Sequence, residues 1–408
     1  MKTAAIIAEY NPFHNGHAYQ LRKVRELSGA DFLLIIMSGD FVQRGTPAIF
    51  DKFIRAEMAL CCGADLILEL PCASASASAP RFAAGAAALL NRLGVIDELW
   101  FGSEEGRMEP FEALSDLFSQ EPETFQQSLK SFLKTGCSFP AARMQALLSF
   151  FSELSLPFES PEALKEFLSS PNNILGLEYC LALKKSGSTI RPRTLARIGS
   201  GYHERTLADD FSSASAIRSA LLHGEISSVR SQIPETVYPL LEKAYHSSGV
   251  LHEDDFSLLL KYQLLKETEN SLCNYLDLPE DLARRILRMQ NQLISFSQFA
   301  GLLKTRNQTR TNINRALIHI LLGLTPKDAE ESLSPDFCRI LGFSASCQKL
   351  MAVIKKHGAL PLISKPGDLP EKCYKKELFA SSLYESVRAL KSGQPFVHEY
   401  SRQIRIIR

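Results

Sequence analysis

The stretch Phe32 to Met37, FLLIIM, constrains the fold more than any other. Six consecutive apolar residues leave no polar face for solvent, so a half-exposed strand does not fit. A strand buried on both sides does. Such strands belong to parallel sheets covered by helices on each side. The flanking sequence has the alternation that such a sheet needs. Thr3 to Ala8 predicts a first strand, and His17 to Ser28 a helix with Ala18, Leu21 and Val24 on one stripe. Helices over Phe50 to Cys62 and Ala79 to Arg92 then alternate with strands at Leu66 to Leu68 and Glu98 to Phe101. The class is α/β with a parallel sheet, and ligands of such sheets collect at the carboxyl ends of the strands.

From about Arg107 the pattern turns helical. Ser160-Pro161 and Ser334-Pro335 read as helix starts, a capping hydroxyl followed by proline at the first helical position. A short return to extended chain is expected around Thr194 to Ile198. Beyond Gly224, a helix stop, nearly everything reads as helix. A chain of 408 residues exceeds one ordinary core, which implies two domains, residues 1–225 and a mainly α-helical 226–408. ASASASAP (Ala73 to Pro80) reads as a strand-to-helix loop at the sheet's edge.

The segment AEYNPFHNGHAYQ, Ala8 to Gln20, carries the chemistry. Where a strand gives way to a helix, His14 and His17 bracket Asn15-Gly16. A helix N-terminus has unsatisfied N–H groups and partial positive charge, so it attracts anions. Gly16 lets a phosphate approach the backbone, and residues three apart lie on one side of the first turn. Both imidazoles can then donate to charge that builds up on a phosphate under attack. The plain alternative is one capping and one packing histidine. The competing phosphate loops, G-x-G-x-x-G and G-x-x-x-x-G-K-[ST], are absent. A second turn, SSASAIRSALLHG from Ser212, puts Ser213 and Ser215 at a helix start with Arg218 one turn in, which suits a phosphate contact. Asp40, Gln43 and Arg44 follow FLLIIM and should sit at its carboxyl end, facing the ligand crevice on the substrate side.

Nine cysteines without a C-x-x-C pair argue against a disulfide framework and a structural metal. No apolar stretch is long enough to span a bilayer, and the N-terminus reads as a first strand, so the expected compartment is the cytoplasm. The net charge is +1, but no acidic residue occurs between Asp281 and Asp328. That interval holds Arg284, Arg285, Arg288, Lys304, Arg306, Arg310, Arg315 and Lys327, a local basic field inside a nearly neutral protein.

The ordered motifs EYNPFHNGH, SGDFVQRGTPAIFDKFIRAEMAL, ADLILELP, FGSE, PNNILGLEY, RIGSGYHE and SASAIR resemble the bacterial tRNA(Met) cytidine acetate ligases, within the HxGH nucleotidyltransferase superfamily. The resemblance implies a Rossmann-like nucleotidyltransferase domain followed by a tRNA-binding helical domain. It implies N4-acetylation of the wobble cytidine of elongator tRNA(Met) from acetate and ATP, through acetyl-adenylate, with release of AMP and pyrophosphate. Mg²⁺ is expected on the triphosphate. His14 and His17 would act on the phosphates. The ATP site would comprise Ile7, Ala8, Glu9, Tyr10, Asn11, Pro12, Phe13, His14, Asn15, Gly16, His17, Ala18, Tyr19 and Gln20, with Gly102, Asn172, Arg197, Ile198, Ser213 and Arg218. Lys304, Arg306, Arg310 and Arg315 would contact tRNA. The family usually has a more basic, tyrosine-containing version of that stretch; here Asn307, Gln308 and Asn312 stand instead. A small-molecule adenylyltransferase and a catalytically silent RNA-binding relative are the competing readings.

Overall fold

The computed structural model describes residues 1–136, 139–151, 156–197, 212–305, 308–369 and 371–408. Ten strands occur among them in chain order: β1 (Thr3–Ala8), β2 (Phe32–Ser38), β3 (Phe41–Val42), β4 (Thr46–Pro47), β5 (Leu66–Leu70), β6 (Glu98–Ser103), β7 (Arg191–Ala196), β8 (Cys338–Ser344), β9 (Leu362–Ile363) and β10 (Arg405–Ile407). The main sheet runs β10-β8-β5-β2-β1-β6-β7, with β9 beside β8. From β1 to β7 its neighbours are parallel, while β8 joins β5 antiparallel.

The FLLIIM strand sits where its composition requires. Leu34 and Ile36 face one core with the helices Ala79–Leu93 and Pro171–Lys185, and Leu33, Ile35 and Met37 face the other with Asn15–Ser28 and Lys52–Cys61. All five are fully buried. The chain moves outward from β1 through β2 to β5, then crosses to β6 and β7 on the other side. The reversal falls between β1 and β6, so their carboxyl ends open a crevice there.

One expected helix start holds: Ser160 caps Pro161–Ser169 through the Ala163 N–H. Asp51, not singled out in the sequence, caps the helix Lys52–Cys61 through the Phe53 and Ile54 N–H groups. Other expectations need correction. Ser334-Pro335 starts no helix but leads into β8. The segment beyond residue 225 is not purely helical, because β8, β9 and β10 return to the N-terminal sheet. β5 is therefore not at the edge, and the serine-alanine loop after it packs against the helical half through Ser74 Oγ and Ser332 Oγ, 2.7 Å apart. A helical core does form from Leu251 to Ala329, joined by Ala380, Tyr384 and Val387. The segment Ile217 to Ala244 packs instead under the sheet.

Buried ions lock the returning chain to the sheet. Lys52, 1% exposed, lies 2.8 Å from Glu69, 3.2 Å from Glu399 and 2.8 Å from Ser381 Oγ. Burial would lower the ammonium's pKa, but Glu399, Glu69 and other neighbours more than offset this and raise it. A second lock is steric. Gly45, at φ +69°, has its Cα against the main chain of the helix Arg310–Leu322; an added Cβ would lie 2.2 Å from the Arg315 nitrogen. Gly45→Ala should therefore destabilise the protein by more than about 2 kcal/mol, from left-handed strain and overpacking together, read as a lower urea midpoint.

Candidate functional site

Arg55 shapes the crevice first. Fully buried, it donates from Nη1 to the carbonyls of Glu9 (2.5 Å) and Ser38 (3.1 Å), and from Nη2 to that of Gly39. It thus ties the chain leaving β1 to the chain leaving β2. Beyond Glu9, Tyr10 takes a left-handed backbone (φ 48°) and Phe13 is buried, which turns His14 into the N-cap of the helix Asn15–Ser28.

The two imidazoles then cap the helix reciprocally. His14 Nδ1 accepts the Gly16 N–H at 3.0 Å, and His17 Nδ1 accepts the His14 N–H at 3.3 Å. The rings stack with centroids 3.8 Å apart. A nitrogen that accepts a hydrogen bond carries no proton, so each neutral ring must bear its proton on Nε2. Burial, reinforced by the Arg197 and Arg218 guanidinium groups, pushes the His14 pKa down to about 3. Burial, with His14 and Arg197 as neighbours, holds His17 well below its ordinary range. The pair is therefore neutral at physiological pH, two Nε2–H donors in a field made positive by arginines. Capping uses the two Nδ1 atoms and leaves the two Nε2–H groups as donors, so the capping reading does not exclude the phosphate one. Gly16 has a role the sequence reading missed: a Cβ there would lie 2.8 Å from His14 Cε1.

The cleft measures about 240 Å³ and is lined from three sides. The strand-to-helix segment supplies Ile7, Ala8, Glu9, Tyr10, Asn11, His14, Gly16, His17, Tyr19 and Gln20. Pro12, Phe13, Asn15 and Ala18 do not line it. Phe13 is core, Ala18 packs against the core, and Asn15 Nδ2 donates to the Ser231 carbonyl at 2.7 Å. At the end of β6, Gly102 lets Arg197 and Gln20 approach; its Cβ would stand 3.3 Å from Arg197 Cγ. Asn172 Nδ2 donates to Glu104 at 2.6 Å, and Arg197 Nε lies 4.0 Å from the same oxygen. Glu104, unremarked within FGSE, thus orients both ligand-side groups. On the third side Ser213 caps the helix Ala214–Leu222, and Arg218 spans the opening, donating to the Asn11 carbonyl at 2.6 Å and to Ser215 Oγ at 3.0 Å. Burial brings the Arg218 pKa down to about 10, still charged at neutral pH. The apolar wall of Phe82, Phe101, Leu175 and Tyr179 was not anticipated, because its residues read as core. Ile198 lies outside the described residues.

Gln43 and Arg44 line the cleft as expected, but Asp40 does not. It is buried, accepting the Lys52 main-chain N–H at 3.0 Å and Ser381 Oγ at 3.0 Å. Its carboxylate is consumed in the lock described above.

The basic stretch is only partly free. Acids just outside the interval close on its ends: Glu269 and, one helical turn away, Glu280 pair with Arg284, and Glu331 pairs one turn away with Lys327. Arg315 is largely buried, bonded to Asn312 and 3.8 Å from Asp277, so it is a packing residue and not a phosphate contact. Lys304 and Arg310 are exposed, as is Arg288. Arg306 lies outside the described residues.

This fold and this crevice define a nucleotidyl transferase of the HIGH type, and the family model for HIGH Nucleotidyl Transferase matches residues 1–395. Within that class the chain belongs to the tRNA(Met) cytidine acetate ligase family. It is 35% identical to the Acetivibrio thermocellus member over 97% of this chain and 98% of that one. It is 37% identical to the Clostridium tetani member over 90% of each. The apo crystal structure of Thermotoga maritima TmcAL superposes with a TM-score of 0.93 at 30% identity, covering both chains fully. The same protein bound with alpha-thio ATP gives 0.91.

The tautomer assignment is open to test. In the free protein at pH 5, nitrogen-15 NMR should show both imidazoles neutral with the proton on Nε2. Gly16→Ala should displace the His14 ring and weaken ATP binding at least tenfold, read by calorimetry.

Proposed function

We propose that this chain activates acetate with ATP and transfers the acetyl group to N4 of the wobble cytidine of elongator tRNA(Met), releasing AMP and pyrophosphate. The observation that carries the reading is the pair of neutral Nε2–H imidazoles at the helix N-terminus, beside the carboxyl end of β1. The likeness to a fold that holds alpha-thio ATP supports it. An amide cannot form spontaneously from a free carboxylate, so acetate oxygen first attacks the α-phosphorus and pyrophosphate leaves. Donors fixed before the reaction stabilise the charge that develops there, the largest kind of catalytic contribution such a site makes. The cytidine amine then attacks the acetyl carbon and AMP leaves. No acyl-enzyme is needed.

Gln43 and Arg44 would form the acetate side. Lys304, Arg310 and Arg288 would meet RNA phosphates, with the helical core around Leu251 to Ala329 as the tRNA-facing body and the sheet, including the returning β8 and β10, as the catalytic one. Among the described residues no three His, Cys, Asp or Glu side chains converge as a metal cage. The residues present therefore fit Mg²⁺ carried by the triphosphate, where it would neutralise phosphate charge. Among the described residues no helix is long and apolar enough to cross a membrane.

Labelled acetate should enter tRNA(Met) only when ATP is also present, and His17→Ala should lower the rate at least 100-fold, about 2.7 kcal/mol of lost stabilisation. Label that never reaches RNA while AMP still forms would favour a small-molecule adenylyltransferase. Arg44→Ala should raise the KM for acetate about tenfold with kcat little changed. An unaltered KM would remove Arg44 from the substrate side.

A further inference from the structure

Among the described residues Glu9 is the one acidic side chain lining the cleft. A carboxylate repels a triphosphate, and although Glu9 also lies in the field of the buried Arg218 and Arg55 guanidinium groups, charge balance alone does not require it to face the cleft. It is also held in place. Oε1 accepts the Gln43 main-chain N–H at 2.9 Å, and the Glu9 carbonyl is gripped by the buried Arg55. Oε2 has no hydrogen-bond partner among the described residues. The cleft therefore has two chemically different ends. Gly102, Gln20, Asn172 and Arg197 gather around the end of β6. Glu9 turns instead to the Gln43–Arg44 hairpin, whose Gly45 rests on the helix Arg310–Leu322 of the basic body.

Resting on the ligase reading above, we propose that Glu9 reads the exocyclic amine of the incoming cytidine and takes its proton during acetyl transfer. Cytosine N4 presents two N–H donors, which a carboxylate accepts, whereas uracil presents a carbonyl oxygen that a carboxylate repels. N4 is conjugated with the ring and is a poor nucleophile while it keeps both protons. As its lone pair forms the C–N bond to the acetyl carbon, the carbonyl–oxygen bond to AMP breaks and AMP departs with that electron pair. The N4 proton passes to Glu9 Oε2 and from there to AMP or solvent. The free oxygen and the fixed one divide the work between contact and positioning.

The test separates the two half-reactions in the full-length protein. Acetate-dependent exchange of pyrophosphate into ATP reads the first, and single-turnover transfer from synthetic acetyl-adenylate to tRNA(Met) reads the second. Glu9→Gln should lower transfer at least 100-fold while lowering exchange less than tenfold, and Glu9→Asp should recover part of the transfer. Equal losses in both steps would overturn the proposal. So would a joint loss that raised Mg²⁺ reverses, which would make Glu9 a metal ligand. If the unaltered protein shows no acetate-dependent exchange but transfers acetyl from the adenylate with full dependence on Glu9, the proposal stands and the activation step fails. If neither step occurs, both fall.

Discussion

Two hydrogen bonds from backbone to imidazole organise the site. His14 accepts the Gly16 N–H and His17 the His14 N–H through Nδ1, which satisfies orphan donors at the helix start and leaves each Nε2–H as a donor. Nothing else at the site works unless these hold. A protonated ring could not accept at Nδ1, so the burial and arginine charges that keep the rings neutral also keep the helix capped. Because capping occupies only Nδ1, it does not compete with the donor role proposed for Nε2–H.

The loop after β2 is where the two halves of the molecule are made interdependent. Asp40 and Lys52 sit in a dry cluster with Glu69, Ser381 and Glu399, so residues more than three hundred positions apart share one set of buried charges. Burial lifts the Glu69 pKa to about 7 despite the Lys52 ammonium beside it. Removing one partner of such a cluster leaves an uncompensated charge, typically a loss of about 3–5 kcal/mol. The same loop carries Gln43 and Arg44 into the cleft and lays Gly45 on the basic helix.

Local signals were the legible ones. The buried FLLIIM strand, the Ser160 cap, and the histidine pair at a strand-to-helix turn depend on residues a few positions apart, and all lie where their chemistry puts them. Asp40 was misplaced because its neighbours in the loop do line the cleft; only Ser381, from the far end of the chain, reveals that its carboxylate is occupied. Arg315 and Arg284 looked free because the acids that neutralise them, Asp277 and Glu269, fall just outside the acid-free interval. Charge counted along a chain is not charge in space.

The amino-acid sequence by itself determined a parallel sheet, the crevice at the end of its first strand, and the histidine pair at the helix start there, since periodicity and helix capping act over one or two turns. Only the tertiary structure decided that β8 and β10 return to complete the sheet, which basic residues stay in solvent, and that Glu9 Oε2 has no hydrogen-bond partner among the described residues. Those outcomes turn on which distant groups share a low-dielectric interior, and pairing over hundreds of residues leaves no local periodicity to read.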